Sequence, residues 1–97
     1  MCGIVGYIGS KKIGNRLIEG LKRLEYRGYD SSGLAILDQT MLKSVKRIGR
    51  VNCLEEALPE KILEANVGIC HTRWATHGAV TEENAHPHVS SDEKFAL

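Results

Sequence analysis

The chain has 97 residues, with 13 Lys+Arg against 12 Asp+Glu for a formal net charge of +1, and is 42% hydrophobic and 26% charged. This is the composition of an ordinary globular unit: a chain of this length buries roughly 60–70% of the surface its unfolded form exposes, enough for one core but not for a second substantial domain. It reads as one small domain or part of a larger one, and its near-neutral balance, without the basic excess that would neutralise a row of phosphates, argues against nucleic acid or a membrane surface as partner.

The first apolar run, Ile4 to Ile8, is interrupted by Gly6 and follows no basic residue, so it is neither a signal peptide nor a spanning helix. It reads instead as a short strand. Gly9 and Ser10 then turn the chain into a helix whose stripe is Ile13, Leu17, Ile18, Leu21 and Leu24, with Ser10 as N-cap and Gly28 as stop. Arg16, Glu19, Lys22 and Arg23 face away from that stripe, with Glu19 spaced to pair with Lys22 and Arg23 on a solvated face. Gly33 to Leu37 and Met41 to Lys46 form a hairpin around Asp38-Gln39-Thr40. Asn52 and Glu55 resemble a capping box opening a short helix limited by Pro59. Val67 to Arg73 is a mostly buried strand delivering polar residues at its far end. Gly78 to Ser91 is a polar loop, and Phe95-Ala96-Leu97 begins another apolar run, so the sequence reads as a fragment stopping inside a strand.

Three features carry chemistry. Cys2 follows Met1 directly, and a small second residue normally allows Met1 to be removed. The same residue then holds a thiol and an α-amine of pKa about 7.7–8.0, a nucleophile and a general base together. Cys53 and Cys70 read as inert buried residues. Three cysteines without a CxxC pairing fit neither a disulfide framework nor a zinc knuckle and point to a reducing cytoplasm. The second feature is His71-Thr72-Arg73-Trp74-Ala75-Thr76-His77-Gly78. It is either a solvated strand end or a site in which Arg73 makes a fork to a substrate carboxylate. Trp74 suits a core or a closing loop equally. The third is the clustering of all four histidines, His71, His77, His86 and His88. The His86-Pro87-His88 run is a possible ligand pair, but without HExxH or an acidic ligand at standard offset it points to a rigid turn and no metal. Arg27 to Gly33 is either a helix stop and tight turn or a site wall.

Met1-Cys2-Gly3-Ile4-Val5-Gly6, Tyr26 to Gly33, His71 to Gly78 and Asn84 to His88 together resemble the start of the class II glutamine amidotransferases. The opening run is shared across that family, whose members include amidophosphoribosyltransferase, glutamate synthase and asparagine synthetase. The later runs are similar to its hexosamine-forming branch, the glutamine:fructose-6-phosphate amidotransferases. The resemblance implies an α+β fold, the four-layer αββα sandwich of N-terminal-nucleophile hydrolases, of which residues 1–97 are the N-terminal part. It implies Cys2 as nucleophile on L-glutamine and Arg73 as grip on the substrate α-carboxylate. Thr76 and His77 match the glutamine pocket, Trp74 the loop that closes over glutamine and gates ammonia passage, and Arg27 and His86 the site wall. No cofactor is implied. Fructose 6-phosphate enters only through sugar isomerase domains, which are absent from this sequence, as is most of the contact of the expected homodimer. The sequence departs from the family at Val80, where proline is usual, and it lacks the Asn-Gly pair that forms the oxyanion hole. Losing one oxyanion donor costs about 100- to 1,000-fold in rate, so the fragment is expected to turn over weakly or not at all. The rival readings are an amidotransferase with another acceptor, a catalytically silent glutamine-binding or assembly module, and a metal-binding histidine module.

Overall fold

A computed structural model describes residues 1–13 and 15–97. Six regular elements follow in chain order: β1 (Gly3–Ile8), α1 (Arg16–Leu24), β2 (Ser31–Asp38), β3 (Met41–Ile48), α2 (Val51–Ala57) and β4 (Val67–Arg73). Short 3-10 turns occupy Glu25–Arg27 and Glu60–Glu64. The strands form one sheet in the order β1-β4-β2-β3, every neighbouring pair antiparallel. The last strand in sequence therefore lies inside the sheet, hydrogen-bonded to β1 on one edge and to β2 on the other. Its polar end is shared: Thr72 pairs with Gly3 on one side and Ser32 on the other, while Arg73 pairs with Ser31.

Both helices pack on one face. Leu17, Ile18 and Leu21 of α1 and Val51 and Leu54 of α2 close over Leu34, Ile36 and Cys70, with Ile13 and Ile62 completing the core. On β1 the alternation is clear, because Val5 and Tyr7 pack against that core while Ile4 and Ile8 remain exposed on the other face. The described residues thus make one sheet and one helical layer, two of the four layers the resemblance implies.

The β2–β3 hairpin forms as expected, with Gln39 taking a φ of 57° in its two-residue turn. Four local expectations are corrected. Helix α1 starts at Arg16 after Asn15, not at Ser10, because Ile13 donates its N–H to the Ala65 carbonyl at 2.7 Å and is buried ahead of the helix. Gly28 does close the helical run that continues α1, but not in the left-handed conformation usual for such a stop: its backbone is extended, and a Cβ there would stand 2.7 Å from the Arg73 carbonyl carbon and 2.8 Å from the Trp74 nitrogen. A close approach, not a turn, demands this glycine. Asn52 is no cap either, since the helix begins a residue earlier and the Val51 N–H donates to Glu25 Oε2 at 2.7 Å, a cap supplied from the end of α1. Phe95 to Leu97 make only a bridge between Ala96 and Val89, with Leu97 and His88 exchanging backbone hydrogen bonds.

The helical surfaces also differ from a purely solvated face. Lys22 pairs with Glu55 of α2 at 2.9 Å, tying the two helices together. Cys70 is fully buried and its thiol is pushed up to about 12 by burial, consistent with an inert residue, whereas Cys53 lies exposed on α2.

The distant cap gives a direct test. Replacing Glu25 by Ala leaves the Val51 N–H without its carboxylate and is expected to cost about 1 kcal/mol, read as a lower urea midpoint, while Asn52→Ala leaves the midpoint nearly unchanged.

Candidate active site

The cleft is built at the polar end of β4. The Gly3 N–H donates to Thr72 Oγ1 at 3.2 Å, and Thr72 is wholly buried, so the first strand is held against the central one up to its first residue. Arg27 Nε donates to the Cys2 carbonyl at 3.2 Å, and its Nη2 lies 3.6 Å from Met1 Sδ. Arg27 therefore fastens the N-terminal segment from behind instead of lining the cleft. Cys2 is left at the mouth, where the Trp74 N–H points to its Sγ at 3.4 Å. Met1 itself is 72% exposed, accessible for removal.

Beyond β4 the chain turns around the guanidinium of Arg73. Nη1 donates to the Ala79 carbonyl at 3.0 Å, and Nη2 to those of His77 at 2.6 Å and Gly78 at 3.4 Å. Gly78 carries a φ of +83°, which a side chain rarely accepts, and Asn84 Nδ2 donates to the Ala79 carbonyl from the following loop. The free fork anticipated for Arg73 is thus partly engaged by its own loop. Asp30 secures the other side: its carboxylate accepts from the Ala75 N–H and from Ser31 Oγ, and its N–H donates to the Arg73 carbonyl at 3.3 Å. Trp74 emerges between these anchors 47% exposed, its ring 6.2 Å from that of Tyr29.

A cleft of about 390 Å³ results, lined by Cys2, Arg73, Trp74, Thr76, His77, Gly78, Asn84, His86 and His88. The structure brings together every candidate except Arg27, which stands behind it. A larger groove of about 570 Å³ between β3, α2 and Glu82-Glu83 holds none of them. The sequence reading left Asn84, His88 and Tyr29 without site roles. All three lie in runs already singled out, Asn84 and His88 in Asn84–His88 and Tyr29 in Arg27–Gly33, but only the fold places Tyr29 beside Trp74.

Three of the histidines form a row of tilted rings. The ring of His86 lies 4.2 Å from that of His71 and 4.3 Å from that of His88. Its segment is pinned from below, because Lys46 Nζ donates to the Ala85 carbonyl at 3.1 Å and the His86 carbonyl crowds the space where a Cβ on Gly33 would stand. His71 is pushed down to about 4, first by burial and then by His86 and His88. His86 is lowered by burial, then by His88, Arg73 and Lys46. Among the described residues, no group of three or more His, Cys, Asp and Glu side chains is placed to hold a metal ion, and no helix is long and apolar enough to cross a membrane.

No family model matches the sequence. Curated relatives do. The chain is 57% identical over 94 residues to a glutamine–fructose-6-phosphate aminotransferase (isomerizing) of Idiomarina loihiensis, covering 96% of this chain and 15% of that protein. It is 61% identical over 94 residues to the one from Pseudomonas aeruginosa, again 96% of this chain and 15% of that protein. For one from Thermus thermophilus the identity is 54% over 97 residues, 100% of this chain and 16% of that protein. Over nearly all of its residues the chain is a homologue of a segment of these aminotransferases. It spans 15–16% of the length of these relatives. Among solved structures, the glutamine phosphoribosylpyrophosphate amidotransferase of B. subtilis, complexed with ADP and GMP, matches with a TM-score of 0.73 and 22% identity over 95% of this chain and 20% of that one. Over 95% of its length the chain therefore shares the fold of that amidotransferase.

The histidine row predicts how stability depends on pH. His71 takes up its proton at about pH 4 when folded and about 6.5 when unfolded, so the unfolded chain binds more protons between these values. Its contribution is complete above about pH 6.5 and lost as pH falls toward 4, with His86 acting in the same direction. Thermal unfolding is expected to show a Tm that declines over this window, and His71→Gln to flatten part of the decline.

Proposed function

We propose that residues 1–97 are the N-terminal part of a glutaminase domain in which Cys2, once Met1 is removed, attacks the side-chain amide of L-glutamine. The observation that carries this reading is the position of the Cys2 thiol at the mouth of a cleft whose walls are Arg73, Trp74, Thr76 and His77.

The thiol sulfur adds to the amide carbon while the α-amine of the same residue takes the thiol proton. The Trp74 N–H, aimed at the sulfur, is a donor to the negative charge that develops there before attack. The α-ammonium then passes its proton to the departing nitrogen, ammonia leaves, and a γ-glutamyl thioester remains. Water adds to the thioester carbonyl, its proton goes to the α-amine, and the breaking C–S bond returns the thiolate and releases glutamate. Arg73 binds the substrate α-carboxylate through the guanidinium edge not turned to its loop, the contact with the Gly78 carbonyl being the longest and most easily exchanged. Thr76 and His77 contribute polar groups to the pocket, His86 walls it, and Arg27 holds Cys2 in place through its carbonyl. His86, which lines the cleft, is pushed toward its neutral form by burial and by neighbouring charge, so it does not compete with Arg73 for a carboxylate.

In the whole protein the ammonia converts fructose 6-phosphate to glucosamine 6-phosphate on isomerase domains beyond these residues, within a homodimer of the reducing cytoplasm. The relatives' names support this acceptor over phosphoribosylpyrophosphate, since identity to them is far higher than to the amidotransferase that shares the fold.

Intact mass after incubation with a diazo-oxo-norleucine glutamine analogue tests the nucleophile without requiring turnover. A chain lacking Met1 is expected to gain one adduct and Cys2→Ala none; a folded, processed chain that gains none refutes the reading. Arg73→Lys keeps the charge but loses the planar fork, and labelling at low analogue concentration is expected to fall about 10-fold.

A further inference from the structure

The geometry points to Tyr29, backed by Arg50, as the positioning residue that holds the Trp74 indole over the Cys2 cleft. This assignment rests on the glutaminase reading only for its catalytic consequence.

Trp74 has anchors for its backbone and one for its ring. Its N–H points to Cys2 Sγ, and the next residue is tied to Asp30. The indole is 47% exposed and meets the tilted ring of Tyr29 at 6.2 Å and 58°. That contact has the geometry of a weak aromatic pair. Tyr29 is itself 51% exposed, so burial alone does not fix it. Its other side carries the Arg50 guanidinium, whose carbon lies 4.9 Å from the ring centroid. Arg50 is held in turn by Glu25 Oε1 at 3.2 Å. The second oxygen of Glu25 caps α2 at Val51. One carboxylate at the end of α1 therefore fixes both the start of α2 and the cation that presses on Tyr29, and the row ends at the indole of the residue whose backbone N–H meets the thiol. A second cavity, of about 240 Å³, lies between Tyr29, Asp30, Trp74, Ala75 and Val80. Trp74 is a wall common to this cavity and the Cys2 cleft. An indole released from Tyr29 has that space to enter, which makes the Tyr29 contact the element that selects its position.

Trp74 is the only tryptophan in the sequence, so intrinsic fluorescence reports this ring alone. A cation–π contact at an exposed site predicts an about two- to fivefold shift toward the unstacked indole when it is lost. Arg50→Gln and Tyr29→Leu are expected to move the emission maximum and raise acrylamide quenching of the otherwise folded chain. Tyr29→Phe, which keeps the ring, and Arg50→Lys, which keeps a cation, are expected to stay close to the parent protein. Arg50 is exposed enough that its variants fold whether or not Tyr29→Leu does. An Arg50→Gln spectrum and quenching constant equal to the parent's, or a Tyr29→Phe change as large as that of Tyr29→Leu, overturns the assignment. Labelling of Cys2 by the glutamine analogue, followed in parallel, separates the two claims. Absence of an adduct on the parent chain refutes the glutaminase reading, while the emission comparison alone decides the role of Tyr29 and Arg50.

Discussion

The contact between the first residues of the chain and the polar end of β4 is the one on which the site depends. Gly3 pairs with Thr72 in the ladder and donates to its buried hydroxyl, so Cys2 stands one residue beyond the ladder, beside the turn that β4 feeds. Cys2 lies outside the ladder and is not held by it. Here the constraint is supplied from the side, by a neighbouring strand and by Arg27 on the Cys2 carbonyl. Removing Met1 breaks neither bond, since both involve atoms of residues 2 and 3. The geometry that places the thiol is thus compatible with the processing that would free its amine.

The same strand end organises the opposite wall. Because β4 is internal, its last residues have neighbours on both sides: Gly3 at one edge and Ser31 and Ser32 at the other. The loop that follows must leave the sheet over the entry to β2, where Gly28 offers no side chain and Asp30 offers a carboxylate. Arg73 then uses its fork to gather three loop carbonyls. A guanidinium buried to 6% exposure is stable only with such partners, since a desolvated charge without them is strongly unfavourable. Arg73 is consequently both a structural hub and the cation nearest the cleft, and ligand binding there involves exchange of partners as well as gain of new ones.

Electrostatics separates the two halves of the cleft. On the side of Arg73 the charge is permanent. His71 and His86 are pushed toward the neutral form, first by burial and then by neighbouring charge, with Lys46 and Arg73 adding to this at His86. Two imidazoles in contact with a third cannot all take protons cheaply in a partly dry setting. The row therefore behaves as packing at neutral pH.

Local pattern was enough for β4, for the β2–β3 hairpin, for the buried stripe of α1 and for the residue types of the cleft, because each rests on periodicity or turn chemistry within a few residues. Cys2 stands out by its place after Met1 and Arg73 by the polar run that ends an apolar strand, whereas the site roles expected of Trp74, Thr76, His77 and His86 come from the family resemblance. What periodicity left undetermined was which partner each polar group takes. Ser10 and Asn52 look like caps in one dimension, yet Ile13 is drawn to Ala65 and α2 is capped by Glu25, which lies 26 residues before Val51. Arg73 looks like a free fork and is gathered into its loop, while Arg27 looks like a wall and serves as a fastening. Tyr29 acquires Trp74 on one side and Arg50 on the other only when β2, β4 and α2 are assembled. Strand and helix identity follow from a side chain's alternation along its own backbone, but hydrogen bonds and ring contacts between distant residues are chosen by packing, and packing exists only in the folded chain.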